Sequence, residues 1–501
     1  MAVDQNLFYA RRLGFGLAPD EDLPTSPREW AMEQVRTIPP LDFFAKDGSS
    51  LFSGLHASVH IKGAVTTDPP TLKPFADFSE ACHMWEKYRL ALDKLQAASK
   101  TMSPDEFDQR EYEETVYPYM FIPRWRDCLQ KTLTAVNGKS PVFERFWMFW
   151  NNHFTLSTTE AEIKLYYGPH IGNIRKRMTG SFADMLFDAI ANPGMLIYLS
   201  NDASVGPHSQ KARDPNSENR DLNENLGREL LELHTVSPAA GYSQQDVHET
   251  ALILTGWQQY AGAITQGKLP PSIPYGTYFH APSHEPGRRT VMGKTYQQKG
   301  NGSNQLHELI TDLATSPQTA KHLSLKLARH FIADDPPQDS VDRIAQKFTE
   351  SGGDLVAVHS AVIDEVLALA TTYPKLTTPE NWLIQAYKVS GAHFPLSPPR
   401  GGSESISWVF KEIGQSFDEC PQPNGWSDAK SDWLSKEMLD RRVREAYRIG
   451  TASAAFSNDQ LGDYAGRLAG ADSPLVPLVR RAESRGMAFA LLMASPQFLK
   501  M

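Results

Sequence analysis

The sequence predicts a mainly α-helical fold: a large multi-helix domain with long inserted loops and a small β-hairpin. Three observations carry this. Apolar residues recur at helical spacing in segment after segment. Alternating strand patterns are nearly absent. No window approaches 18 uninterrupted apolar residues, so no membrane span is expected.

The periodicity places helices over 5–12, 27–36, 74–98, 119–136, 141–155, 160–178, 181–191, 221–236, 243–257, 303–317, 318–332, 338–351, 354–371, 378–391, 402–414, 431–449, 457–469 and 484–498. The apolar face is clearest in "DLVAVHSAVIDEVLALA". The strand-like exception is 276–296, "GTYFHAPSHEPGRRTVMGKTY", where two β-prone pieces flank a Pro/Gly-rich turn, as in a hairpin or excursion loop. Long irregular stretches at 38–72, 200–220, 258–302 and 415–430 exceed the usual loop length, which marks them as functional or mobile. By length the chain has room for two or three domains. It shows no internal repeat, low-complexity tract or linker. One helical body over 1–501 is therefore expected, with a core motif region at 140–300 and a C-terminal helical part at 303–501.

The formal net charge of −9 argues against a general nucleic-acid binder, which needs a basic face. Cys82, Cys128 and Cys420 are odd in number and far apart, so neither a disulfide nor a structural zinc site is expected. The opening "MAVDQNLFYARRLGFG" lacks a signal-peptide apolar region. The protein is either cytoplasmic or exported with its signal removed.

Several signatures fail on inspection. "GFGLAP", 14–19, has proline where a dinucleotide loop needs its third glycine. "GAITQGKL", 262–269, resembles a phosphate loop, but Leu269 replaces the Ser/Thr and Pro270–Pro271 forbid the following helix. His280 and His284 have ligand spacing only on a helix, and Pro282 and Pro286 oppose one.

Two helices carry unexpected polarity. In "NENLGRELLELHTV", 223–236, Leu226, Leu230 and Leu233 form a core stripe, while Asn225, Arg228, Glu229 and Glu232 form a second stripe at i, i+3, i+4 and i+7. Val236 interrupts the polar stripe and Leu231 lies off the core face. The stripe is either a solvated face with an Arg228–Glu232 pair, or the lining of an enclosed polar pocket with His153 nearby. The Asp221/Asn223 region is placed to cap this helix, and Ser243 with Asp246 to cap the next. In "FERFWMFWNNHFTLS", 143–157, Phe143, Phe146, Trp147, Trp150 and Phe154 make an aromatic stripe. His153 sits over it, as a core histidine bonded to a carbonyl or as an acid/base group held rigid by the rings.

These pieces, with "ARRLGFG" (10–16), "GSFADMLFDAIANPGMLIYL" (180–199), "YSQQDVHETALILTGW" (242–257), "FHAPSHEPGRRTVMG" (279–293) and "PNGW" (423–426), resemble the bacterial family catalogued as domain of unknown function 1800. The resemblance covers nearly the whole chain. It implies a mainly helical protein, often exported, often encoded beside a sulfatase-like companion. His234 stands where that pattern more usually has an aromatic, Glu285 where it usually has Asp, and "PNGW" lies in an atypical Cys-containing loop.

The leading expectation is an enzyme, a hydrolase or lyase acting on a polar polymer or glycoside. Glu229 and Glu232 would be its acid/base carboxylates, with His153 beside them. Asn223, Glu224, Asn225, Arg228, Trp257, His284 and Glu285 would contact a small-molecule or glycan substrate, with Trp150, Trp257 and Trp426 offering stacking faces. Two carboxylates three residues apart lie side by side, so a flanking pair needs a partner such as Glu285 or Asp202. No cofactor is expected in that case. Two alternatives stay open: a divalent-metal enzyme using His153, Glu229, Glu232 and His284, or a non-enzymatic binding or assembly protein whose polar helix is a buried specificity network.

Overall fold

The structure, a computed structural model, describes residues 3–41, 75, 78–159, 161–217, 221–259, 277–369, 371–391, 405–453 and 455–501. The 262–269 stretch and most of 38–72 lie outside the described residues. The fold is mainly α, with two small two-stranded antiparallel sheets among the described residues. One contiguous hydrophobic cluster runs from Leu7 through Leu499. No described helix is long and apolar enough to cross a membrane, and the three cysteines are buried thiols.

Most helices sit where periodicity puts them: Gln5–Leu13, Pro141–His153, Gln244–Leu254, Pro317–Phe331 and Leu355–Leu369 are examples. The Pro141–His153 helix is the hub of the core. Pro141 opens it, where a missing N–H costs nothing. Phe143, Phe146, Trp147, Trp150 and Phe154 are all fully buried. Each such ring contributes roughly 2–3 kcal/mol of burial, as an upper bound. The Trp147 and Trp150 N–H groups find Ile171 O and His359 Nε2, both at 2.9 Å, so neither indole of this helix is stranded.

The sequence reading misses the short helices Pro193–Tyr198 and Leu475–Arg480, and it departs from the structure more widely in three places. The helix expected over 221–236 spans only Asn225–Glu232. The His234 amide reaches back to Glu229 O (3.1 Å), the Thr235 hydroxyl takes Leu230 O (2.6 Å), and Ser237 adopts φ +63°, which together unwind the chain. Residues 104–118, where no helix is expected, belong to a Pro104–Glu111 α-helix and to the Tyr112–Phe121 π-helix it runs into, which accommodates Pro118. The expected hairpin over 276–296 divides in two. β1 (Trp257–Gln259) pairs with β2 (Thr277–Phe279), and β3 (Arg289–Val291) pairs with β4 (Lys294–Tyr296) through Met292–Gly293, both at positive φ. The prolines of 280–287 lack the N–H groups a ladder needs, so β2 turns back to β1.

The beginning and end of the described chain are locked together. Arg11 is fully buried and donates to Gln385 Oε1 (2.8 Å) and to the carbonyls of Gln497 (3.1 Å), Phe498 and Lys500 (3.2 Å). Leu376 and Lys500 form a β-bridge beside them.

Candidate functional site

The N-cap of the Asn225–Glu232 helix is Glu224, which makes no side-chain cap bond, and of the expected Asp221/Asn223 region Asn223 instead satisfies the first helical amide. Asn223 Oδ1 accepts from the Asn225 amide at 2.9 Å, and the Asn223 amide donates to Ser204 Oγ at 3.0 Å. Beyond it, the polar stripe faces the Gln244–Leu254 helix. Glu224 accepts from Gln244 Nε2 (2.7 Å) and His248 Nδ1 (2.8 Å), Arg228 donates to Gln244 Oε1 (3.1 Å), and Tyr242 donates to Glu232 (3.3 Å). The stripe is not sealed in an enclosed pocket: Asn225 is exposed, while Arg228, Glu229 and Glu232 are half-buried. A helix of this length, flanked on its polar side by the capped start of its neighbour, leaves that side open to solvent.

Glu229 is the exception within the stripe. Its carboxylate has no hydrogen-bond or ion-pair partner among the described residues. Burial pushes its pKa above the ordinary carboxylate value, Glu232 pushes the same way, and Arg228 opposes them. Its charge is felt by Tyr198, whose phenol is raised to about 12, first by burial and then by Cys420 and Glu229. Tyr198 and the segment around Cys420 thus border the Glu229 side of the helix.

His153 lies at the other side of the same helix end. It is buried, parallel to the Phe149 ring (6.4 Å between centroids) and edge-on to Phe154 (4.5 Å) and His234 (5.5 Å). Its Nδ1 meets the Lys326 ammonium at 2.9 Å. Burial, then Lys326, hold His153 well below the usual histidine pKa, so it is neutral and accepts that bond. Burial likewise lowers His234 to about 3 and His322 to about 4, and Lys326 to about 8. His322 Nε2 lies 3.2 Å from Leu233 O. Asp428 acts on Lys326, whereas neither Glu229 nor Glu232 does. Among the described residues no hydrogen bond joins the expected catalytic trio: Glu229 and Glu232 lie on the polar stripe, and His153 sits beside His234 past the end of that helix.

The remaining expected contacts lie elsewhere. His284 and Glu285 are buried in a clasp. His284 Nδ1 lies 2.8 Å from Thr255 O and its Nε2 2.9 Å from Gln305 Oε1, while Glu285 accepts from the His208 amide and ring, both at 2.8 Å. This clasp fastens the loop before the polar helix and leaves Glu285 poorly placed as a flanking carboxylate. Trp257 lines a half-open cavity of 440 Å³ with Arg177, Asp188 and His307. Trp150 is fully buried. Among the described residues no group of three or more His, Cys, Asp or Glu side chains is placed to hold a metal ion, so the set His153, Glu229, Glu232 and His284 is not assembled.

Sequence reasoning missed Lys326, His322, His330, Asp428 and the role of Asn152. The last is a bracket: Asn152 donates to Trp426 O (2.9 Å) and accepts from the Trp426 amide (2.7 Å), docking "PNGW" on the end of the aromatic helix. Gly425, at φ +81°, packs so closely that a Cβ would stand 2.4 Å from Asn152 O. The dock delivers Asp428 to His330 Nδ1 (2.8 Å), with Arg145 donating to His330 Nε2 (3.1 Å) and Lys375 to Asp428 O (2.8 Å). Burial raises Asp428, but His330, Lys375 and Arg145 outweigh it and bring it down to about 2. A signal was present in the sequence: His322, Lys326 and His330 recur every fourth residue, a basic stripe on one helix.

Fold and site together define a mainly helical protein with a half-buried carboxylate and a partly buried imidazole–lysine cluster. The chain belongs to the family described as Protein of unknown function (DUF1800), whose model matches residues 9–500. Neither the curated proteins nor the solved structures yield a match to it.

Proposed function

We propose that the protein is an enzyme, a hydrolase or lyase on a polar polymer or glycoside, in which Glu229 transfers the proton. The observation that carries this reading is the unpartnered, half-buried Glu229 carboxylate with its raised pKa. A structural carboxylate at that depth is normally paired, as Glu224 and Glu232 are. An unpaired one holds its proton nearer to neutral pH and can donate it to a leaving oxygen, then take one from water or from substrate carbon. Glu232 lies beside Glu229 and is engaged by Tyr242, so the two do not flank a bond as a glycosidase pair does. That favours a single acid/base carboxylate, with the Tyr198 phenol as its neighbour.

The test is turnover of a panel of polysaccharides and glycosides by the full chain, read as reducing ends and as ultraviolet absorbance of unsaturated product. Glu229→Gln keeps shape and deletes the charge. It is expected to lower turnover by about 10²–10⁴-fold with an unchanged melting temperature. Retained turnover in this variant, or a panel that the wild type leaves untouched, refutes the reading. A lowered melting temperature in Glu224→Gln beside an unchanged one in Glu229→Gln, with no turnover of the panel, supports instead the binding-protein reading, in which the Glu224–Gln244–His248 seam is the purpose of the stripe.

A further inference from the structure

A buried ammonium normally finds a carboxylate, because burial without a counter-charge is costly. The chain follows this rule at Lys131, 2.7 Å from Glu380, and at Lys375, 2.9 Å from Asp334, both lysines being buried. Lys326 departs from it. Its ammonium makes one hydrogen bond among the described residues, to His153 Nδ1. An ammonium has three N–H donors, so two remain unused. Asp428 is the carboxylate whose charge reaches it, and that group is already held by His330.

The surroundings are short of negative charge and rich in unmet polarity. His153 faces Lys326 from the aromatic helix, His322 lies one turn earlier on its own helix, and His234 stands behind His153. Nε2 of His153 and both ring nitrogens of His234 are buried, with only weak contacts between each ring and the other residue's backbone. Lys326 and His322 nevertheless keep part of their surface accessible. A reachable cation with two donors unmet by the protein, set among neutral imidazoles and with no free carboxylate beside it among the described residues, is half of an ion pair.

We propose that Lys326 anchors an anion-binding site, which takes a carboxylate, sulfate or phosphate group of an acidic ligand. The two spare ammonium hydrogens donate to the oxygens of the anion, and His153 fixes the third and orients the amine. The added negative charge also favours protonation of His322, bringing a second cation to the anion. If the protein is the enzyme proposed above, its substrate is acidic. That extension rests on the enzymatic reading, whereas the anion site itself does not.

Pulse acetylation of the full chain with acetic anhydride, read at Lys326 by mass spectrometry, tests this without a variant. Only the free amine reacts, so in sodium chloride the rate should rise with pH about a midpoint near 8. Inorganic phosphate, sulfate or glucuronate at matched ionic strength should move that midpoint up by about one unit or more, slowing the reaction near pH 8 on the order of tenfold. The anion that acts best distinguishes a carboxylate ligand from a sulfate or phosphate one. Lys326→Met should abolish any anion-specific rise in melting temperature, and Lys326→Arg should retain part of it. The proposal is overturned if all three anions leave the Lys326 rate within about twofold of chloride, if Lys326 does not acetylate at all, or if the melting-temperature rise persists in Lys326→Met. Glu229→Gln should protect Lys326 like the wild type, so failure of the acid/base reading is separable from failure of this one.

Discussion

Replacing Gly425 by alanine should release the 423–428 segment from the end of the aromatic helix while leaving the core folded. Gly425 holds φ +81°, where an L residue costs about 1–2 kcal/mol. The new Cβ would stand 2.4 Å from Asn152 O and 2.8 Å from Asn152 Oδ1, so the segment must move away. Movement of that size breaks both Asn152–Trp426 hydrogen bonds, at about 1 kcal/mol each. The total is about 3–4 kcal/mol, confined to the dock. Amide exchange at residues 424–428 should therefore speed by about 10²–10³-fold, since each 1.4 kcal/mol is worth tenfold. Hydrogen-exchange mass spectrometry reads this against peptides of the 141–153 helix, which should not change. Asn152→Asp, which keeps the acceptor but loses the donor, should cost about 1 kcal/mol, roughly a quarter to a third of the effect in free energy. Exchange within about threefold of wild type in Gly425→Ala would show that the bracket does not hold the segment.

Two further outcomes follow from buried charge. His170, His234, His322 and His359 are held by burial to between about 3 and about 4, so between about pH 6 and pH 4 the unfolded chain binds protons that the folded chain refuses and stability falls as pH falls. Asp127, raised by burial to about 6, works in the opposite sense over the same window; these five groups together give a net slope of up to about 4 kcal/mol per pH unit, and tryptophan fluorescence should show cooperative acid unfolding centred above pH 4, whereas stability flat from pH 6.5 to 4 would contradict it. Glu144 pairs with Arg175 at 2.5 and 2.7 Å, both buried, so Glu144→Gln should cost about 3–5 kcal/mol by stranding the guanidinium. Replacing both partners, as Glu144→Leu with Arg175→Met, should recover most of that loss in urea titrations, and a double variant no better than the single one would refute the argument.

The helices were legible because burial imprints its period on sequence. Leu226 and Leu230 are fully buried, as their spacing implies. The end of that helix was not legible, since it depends on the Thr235 hydroxyl and the His234 amide, which add nothing to an apolar period. Nor was the partner of β2, which lies across the 260–276 interval. In the site, the second stripe was visible, but its angular position does not say whether it faces a cavity or the capped start of the next helix. Glu229 and His153 stood out as polarity on helices rich in apolar residues. Lys326 and Asp428 did not, because their significance arises only when segments about a hundred residues apart meet.

The grip of Arg11 on the last residues has a consequence for how the protein is made. The carbonyls that receive its guanidinium lie 486 and 489 positions later in the chain. During synthesis the first helix emerges with a cationic side chain destined for the interior, and its acceptors do not yet exist. Until residues 497–500 leave the ribosome, that helix either stays solvated or depends on a chaperone. Its docking thus waits for residues 497–500, and loss of those residues should leave the Gln5–Leu13 helix the least settled.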